Sequence, residues 1–313
     1  MRNFTQKTTH LNYKTWTSAM RLRTLPLASA SIILANFLAF STNHFNAFVG
    51  IFCLLTAILL QILSNFANDY GDYQNGADNA QRIGPARAVQ SGAISAAQMK
   101  KAIATTATLC FLSGSSLIYH LILHINIWQG LAFLALGLLA IAAALFYTAG
   151  KNPYGYIGLG DASVFIFFGL MSVLGTYYLH SFTLNAPLLL PSMAAGLLSV
   201  AVLNLNNMRD IENDKNANKK TIAVFLGLQH AKYYHITILV LAWVCLIFYA
   251  FLNFKNWYQY AFLLLIIPFY IDAKQLYAIK ENALLDPYLK KTAIKTLVLC
   301  SFYGFLACLN SVA

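Results

Sequence analysis

Six of the ten acidic residues of this chain lie in two short stretches, each directly after a long apolar run. The first reads Asn65-Phe-Ala-Asn68-Asp69-Tyr-Gly-Asp72 and continues through Gly76 to Asp78. At roughly 100° per helical residue, Asn65, Asn68, Asp69 and Asp72 fall within about 100° of one another. The second reads Asn206-Asn207-Met-Arg209-Asp210-Ile-Glu-Asn-Asp214. Spacings of four and four put Asn206, Asp210 and Asp214 in a stripe about 80° wide. Laid over each other, Asn206 matches Asn68 and Asp210 matches Asp72. Carboxylate and amide oxygens are hard donors, suited to Mg²⁺, which takes one or two carboxylates and completes its shell with substrate phosphates. The pattern points to two metal-binding clusters, one on the face of Asn65, Asn68, Asp69 and Asp72 and the other on Asn206, Asp210 and Asp214.

The elements that must hold these stretches are membrane helices. The chain has 313 residues, 59% hydrophobic and 10% charged. A soluble domain carries about 25% charged residues, so this composition is that of a polytopic membrane protein. Apolar runs of about 20 residues predict nine spans, near 24–42, 47–67, 100–122, 128–149, 157–180, 187–207, 233–253, 257–277 and 294–312. The fold expected is all-α, one integral-membrane domain over 1–313. Residues 1–23 form a cytoplasmic N-terminal segment, with cytoplasmic active-site loops at 68–99 and 206–232. The polar, basic start has no apolar core of a cleavable signal. All five cysteines sit inside apolar runs without metal-ligand spacing and read as small buried hydrophobes.

The net charge of +11 is explained by topology. With the N-terminus inside, 20 of the 21 Lys and Arg fall on the cytoplasmic side, leaving Lys255 outside. The ten acids fall on the same side. The basic balance therefore needs no nucleic-acid partner, and any chemistry is expected at the cytoplasmic surface of the bilayer.

Several further segments meet that surface. Pro26 suits the first turn of the first span, and Arg21 and Arg23 just before it read as interface anchors. Arg82 and Arg87, in the long connection after the first motif, read either as bidentate pyrophosphate contacts or as positive-inside charge. The turn Tyr147-Thr-Ala-Gly-Lys151-Asn-Pro153-Tyr154-Gly-Tyr156-Ile-Gly158-Leu-Gly160-Asp161 has too many glycines for a continuous helix. Lys151 there is either a phosphate ligand or the topology charge of the turn. Arg209 and Lys219 are candidates for the far side of the same anion. His230 and His235 read as interface histidines, and Asp272 as a local partner of Lys274.

A pyrophosphate joined to a hydrophobic tail would satisfy both sets of charges, its head at the surface and its tail among the helices. With metal on the oxygens, the carbon–oxygen bond of an isoprenyl diphosphate can ionise to an allylic cation. An apolar interior shields that cation from water. Tyr147 and Tyr154 are candidates to stabilise it through their rings.

The residues that carry these features resemble the UbiA superfamily of intramembrane aromatic prenyltransferases along nearly the whole chain. They are Arg23-Thr-Leu-Pro26, Asn68 to Asp78, Arg82 to Pro85 with Arg87 to Gly92, Tyr147-Thr148, Pro153 to Gly160, Phe165 to Tyr178, and Asn206 to Asp214 with Lys219 to Ala223. Within the superfamily they look most like the branch that prenylates 1,4-dihydroxy-2-naphthoate. The resemblance implies Mg²⁺, a polyprenyl diphosphate donor and a dihydroxynaphthoate acceptor. The ring would lose its carboxylate, giving demethylmenaquinone, CO₂ and pyrophosphate at a bacterial inner membrane. It carries catalytic metal ligands onto Asn68, Asp72, Asp210 and Asp214, with Asp69 and Asp78 nearby. Where the superfamily has a further Asp, four residues after Asp72, this chain has Gly76, and Asp78 is expected to substitute.

Two other readings compete. A different aromatic acceptor, 4-hydroxybenzoate or homogentisate, would use the same motifs, although the turn from Pro153 to Gly160 favours the naphthoate. An ion-coupled transporter would place its ionisable groups near the midplane, whereas here they cluster at one surface.

Overall fold

The computed structural model describes residues 13–76, 84, 87–150 and 152–309. Among them, nine helices are long and apolar enough to cross a membrane, and there is no strand. Such a chain has little choice, because in hydrocarbon each backbone N–H and C=O must be satisfied within its own helix. The helix starts are fixed by side chains that accept the first free N–H groups. Asn46 accepts from Val49 at the start of the helix Ala47–Gln74, and Thr221 from Val224 at the start of Ile222–Asn253. Ser95 and Gln98 form a reciprocal capping box on the helix Ala96–Ile122. Pro26 sits in the first turn of the helix Leu25–Ser41, as its fixed φ favours.

After a short helix α1 (Tyr13–Ala19), the order is α2 (Leu25–Ser41), α3 (Ala47–Gln74), α4 (Ala96–Ile122) and α5 (Ile127–Phe146). One crossing is then shared by α6 (Gly160–Val164), a π-helical segment Phe165–Met171 and α7 (Ser172–Ser181). α8 (Leu189–Arg209), the short α9 (Ile211–Asn216), α10 (Ile222–Asn253), α11 (Ile266–Ala278) and α12 (Asp286–Cys308) complete the chain. α2 packs on α3, α7 and α12, and α8 packs on α10, α12 and the π segment. The main core lies between these helices, with Leu34, Leu198, Phe262 and Tyr303 wholly shielded. In α5 only Gly130 is buried; its other side chains face outward or into an internal cavity.

Two departures from expectation matter for the site. The second segment expected as a cytoplasmic loop, 206–232, is largely helical, and the first, 68–99, begins and ends inside helices. α3 runs on to Gln74, and α8, α9 and the start of α10 cover most of the second. Polar residues extend a membrane helix once its apolar part is anchored, so hydropathy alone ends it too early. The crossing 160–181 also contains a full π turn, which no apolar periodicity announces. Elsewhere, Asp272 pairs with Lys295 of α12 at 2.5 Å rather than with Lys274. His235 is buried inside the bundle at 2% exposure rather than lying at its surface. All five cysteines are buried and free.

Candidate active site

α3 carries the first motif into close contact with the turn after α5. A Cβ on Gly71 would lie 2.6 Å from the Thr148 carbonyl carbon and oxygen, so only glycine permits this approach. Asn75 Nδ2 donates to the Thr148 carbonyl at 2.8 Å, and the Thr148 hydroxyl donates to Asn68 Oδ1 at 3.0 Å. The turn itself folds back on Tyr147. A Cβ on Gly160 would stand 2.7 Å from the Tyr147 hydroxyl. The Tyr147 and Tyr154 rings meet edge to face at 5.4 Å, and Tyr154 donates to the Ala143 carbonyl at 2.8 Å. Burial pushes both phenols up, and for Tyr147 the charges of Asp161, Tyr154, Asp214 and Asp72 add to it. Tyr147 thus stands between the two motifs.

The motifs are joined by a short chain of side chains. The Tyr156 hydroxyl donates to Asp72 Oδ1 at 2.8 Å. Its ring carries Lys219 Nζ at 5.3 Å from the centroid, and that nitrogen is 3.6 Å from Asp214 Oδ1. The backbone repeats the link, Lys220 N–H donating to the Tyr156 carbonyl at 2.8 Å. On the other side of Asp72, Arg87 Nη2 approaches Oδ2 to 3.7 Å. Below this polar end lies a cavity of about 740 Å³. Asn68, Asp72, Arg87, Asn206 and Lys219 line its head. Leu60 of α3, Ile118 of α4, Phe133 of α5, Phe167 of the π segment and Leu179 of α7 line its apolar part. A cavity of this size with few convergent polar groups is typical of small-molecule sites.

Not every candidate stands there. Asp69 is turned aside: its two oxygens accept the Ala88 and Val89 N–H groups at 3.1 Å. It holds the turn that presents Arg87 rather than offering those oxygens to a metal. Asn65 is likewise structural, donating to the Met20 carbonyl at 2.9 Å and the Thr24 hydroxyl at 3.1 Å. Arg209, expected on a diphosphate, is wholly buried and does not line the cavity. Its guanidinium grips Asp210, Nε to Oδ1 at 2.8 Å and Nη2 to Oδ2 at 2.5 Å, and reaches Asn206 at 2.9 Å and Asp286 at 2.5 Å. An unpaired guanidinium at 0% exposure would be very costly, so it takes the nearest carboxylates. Asp210 itself is the joint between α8 and α9 (φ −97°, ψ 11°). Asp78, Arg82 and Lys151 lie outside the described residues.

Three contributors escaped sequence reasoning. Tyr156 and Thr148 belong to the glycine-rich turn but reveal their partners only in three dimensions. Arg21, read as an anchor, lines the cavity from a left-handed backbone conformation (φ 50°, ψ 59°). A non-glycine residue pays roughly 1–2 kcal/mol for that conformation. The turn is held by Thr24, whose N–H and hydroxyl both donate to the Arg21 carbonyl.

Apolar spanning helices around a cavity with an Asn/Asp motif at each side of its head define an intramembrane transferase of prenyl groups. The chain belongs to the UbiA prenyltransferase family, which it matches over residues 28–308. It is 45% identical over 288 residues to the 1,4-dihydroxy-2-naphthoate octaprenyltransferase of Haemophilus influenzae, covering 91% of this chain and 93% of that one. To the enzyme of the same name from Escherichia coli it is 46% identical over 249 residues, 80% of each chain. Among solved structures, a UbiA homologue from Aeropyrum pernix superposes with a TM-score of 0.60 at 19% identity, covering 90% of this chain and 97% of that one. One from Archaeoglobus fulgidus, bound to DMAPP and Mg²⁺, does so with 0.59 at 17%, covering 92% and 98%. These two share the fold.

Proposed function

We propose that this protein transfers a polyprenyl group from polyprenyl diphosphate to 1,4-dihydroxy-2-naphthoate, with loss of the ring carboxylate, in menaquinone biosynthesis. The observation that carries this reading is the link Asp214–Lys219–Tyr156–Asp72, which sets both motifs at the head of one apolar cavity. The naphthoate is favoured over other aromatic acceptors by the names of the two relatives near 45% identity.

The donors suit Mg²⁺. Asn68, Asp72, Asn206 and Asp214 offer only hard oxygens; among the described residues no three His, Cys, Asp or Glu form a metal-holding group by themselves, so substrate phosphates would have to complete the shell. Mg²⁺ held there with the substrate would neutralise charge on the departing diphosphate. Arg21, Arg87 and Lys219 are the basic residues among the described cavity lining and bind the remaining diphosphate oxygens. Tyr147 and Tyr154 line the cavity and would stabilise the allylic cation through their rings. The C1–O bond breaks with its electron pair leaving on the diphosphate. The ring carbon bearing the carboxylate then bonds to C1. Loss of CO₂ returns the electron pair to the ring, so no ring proton has to be removed. The direct product is the quinol form of demethylmenaquinone. The apolar helices shield the cation from water.

The expected topology, with 20 of the 21 Lys and Arg on the side of the motifs, supports a site and an N-terminus facing the cytoplasm of a bacterial inner membrane. The test is an assay of the purified protein in lipid with a polyprenyl diphosphate and dihydroxynaphthoate, with and without Mg²⁺. Mg²⁺-dependent demethylmenaquinone formation is the expected result. Pyrophosphate release with a different aromatic acceptor alone would overturn the acceptor assignment.

A further inference from the structure

Asp72, which lines the cavity, and Asp210 and Asp214, which stand behind its lining, each carry a cation, and the three cations are not alike. Arg87 stands 3.7 Å from Asp72 and Lys219 stands 3.6 Å from Asp214. Both line the cavity, so both can turn toward a diphosphate and leave their carboxylates to a metal. Arg209 has no such freedom. It is fully buried, lies outside the cavity and grips both oxygens of Asp210 at 2.8 and 2.5 Å. Left as a one-to-one pair, this grip would cancel the charge of Asp210 in a medium where charge is poorly screened.

The remaining contact on Arg209 comes from Asp286, at the first position of α12, 77 residues away in the chain. Its Oδ1 takes Nη1 at 2.5 Å. Asp286 in turn meets Arg23, whose Nη1 is 3.4 Å from each of its oxygens. The order Asp210–Arg209–Asp286–Arg23 thus runs from the site to the half-exposed surface. We propose that Asp286 is a positioning residue for the second motif: by sharing the Arg209 guanidinium it leaves Asp210 net anionic toward a divalent cation. This rests on the metal-assisted prenyl transfer proposed above. Asp286 lines no part of the cavity and touches no substrate; it acts through Arg209 alone.

The test reads divalent binding directly, without acceptor or prenyl chain. Mn²⁺ is titrated, by electron paramagnetic resonance, into the full chain in lipid nanodiscs with inorganic pyrophosphate. Asp286→Asn is expected to weaken Mn²⁺ binding about tenfold, the scale of one charge-assisted contact. Asp286→Glu should restore it to within about threefold. Arg23→Gln, a change at a half-exposed side chain, should tighten it about twofold, because Asp286 then serves Arg209 alone. Glu212→Gln is the control: it removes the same charge two residues from Asp210, from an exposed position. A long-range field would shift Glu212→Gln and Asp286→Asn alike, and equal shifts overturn the proposal. So does unchanged binding in Asp286→Asn, or weaker binding in Arg23→Gln, where the wild type binds Mn²⁺. Absence of pyrophosphate-dependent Mn²⁺ binding in the wild type itself overturns the metal-assisted reading, and this proposal with it.

Discussion

The Tyr156 hydroxyl and Asp72 Oδ1 are 2.8 Å apart across 84 residues of sequence, and that hydrogen bond ties the turn after α5 to the first motif. Tyr156→Phe keeps the ring on which Lys219 rests and deletes only the donor. One hydrogen bond to a carboxylate is worth about 1.5–3 kcal/mol. kcat/KM should therefore fall by about tenfold or more, measured by product formation in nanodiscs, with the protein still inserted. An unchanged value would make the bond incidental.

Removing the carboxylates themselves has a larger effect. Asp72→Ala and Asp210→Ala should abolish turnover, to below about one part in a thousand, while detergent-extracted protein remains monodisperse. Wild-type-like rates in both would end the metal-clamp mechanism.

Asp69 predicts differently from its neighbours. Its oxygens hold the N–H groups of Ala88 and Val89 in a buried place. Asp69→Ala leaves two buried donors without their acceptor, a cost of about 2–5 kcal/mol. Thermal unfolding should move down markedly, and the KM for the diphosphate should rise because Arg87 loses its mooring. A loss of metal binding with no change in stability would return Asp69 to the ligand set.

Tyr147 bears on pH dependence. Its folded pKa lies above the ordinary value of about 10, through burial first and the neighbouring acids second. The raised value means that the folded state holds the proton more tightly than the unfolded one. The phenol is neutral from about pH 6 to about pH 10, and stability is lost only as pH rises beyond the unfolded value. A difference absorbance titration of wild type against Tyr147→Phe should show no phenolate below about pH 10. Tyr147→Phe should keep its rate within about threefold, since the ring face remains, and Tyr147→Leu should lose about tenfold.

The nine spans were legible because about 20 apolar residues in a row have one use in a chain this poor in charge. Asn68 and Asp72 were legible for a related reason: polar groups at the end of such a run need a partner. The wheel could not separate Asp72 from Asp69, which point within about 60° of each other. What divides them is the turn at Ala88 and Val89, and nothing in the motif encodes it. Arg209 looked like a ligand because it sits in the motif; its burial depends on Asp286, far along the chain. Tyr156 stood in a turn whose glycines signal close approach without saying to what. The π segment leaves no periodic trace, because one inserted residue shifts the pattern by less than composition blurs it.

The contact of Gly71 with Thr148 is main chain against main chain, so no rotamer can widen or narrow that seam. The diphosphate end of the site is in this sense a fixed gauge, cut once by the backbone. Most of the side chains that line the rest of the cavity are apolar, each exchangeable by a single substitution. A lineage adapting this scaffold to a longer tail or another ring would have to rewrite the wall and leave the head untouched. Laboratory libraries aimed at new substrates should therefore draw their diversity from positions such as Phe133, Phe167 and Leu179, and hold residues 68–75 and 147–149 constant.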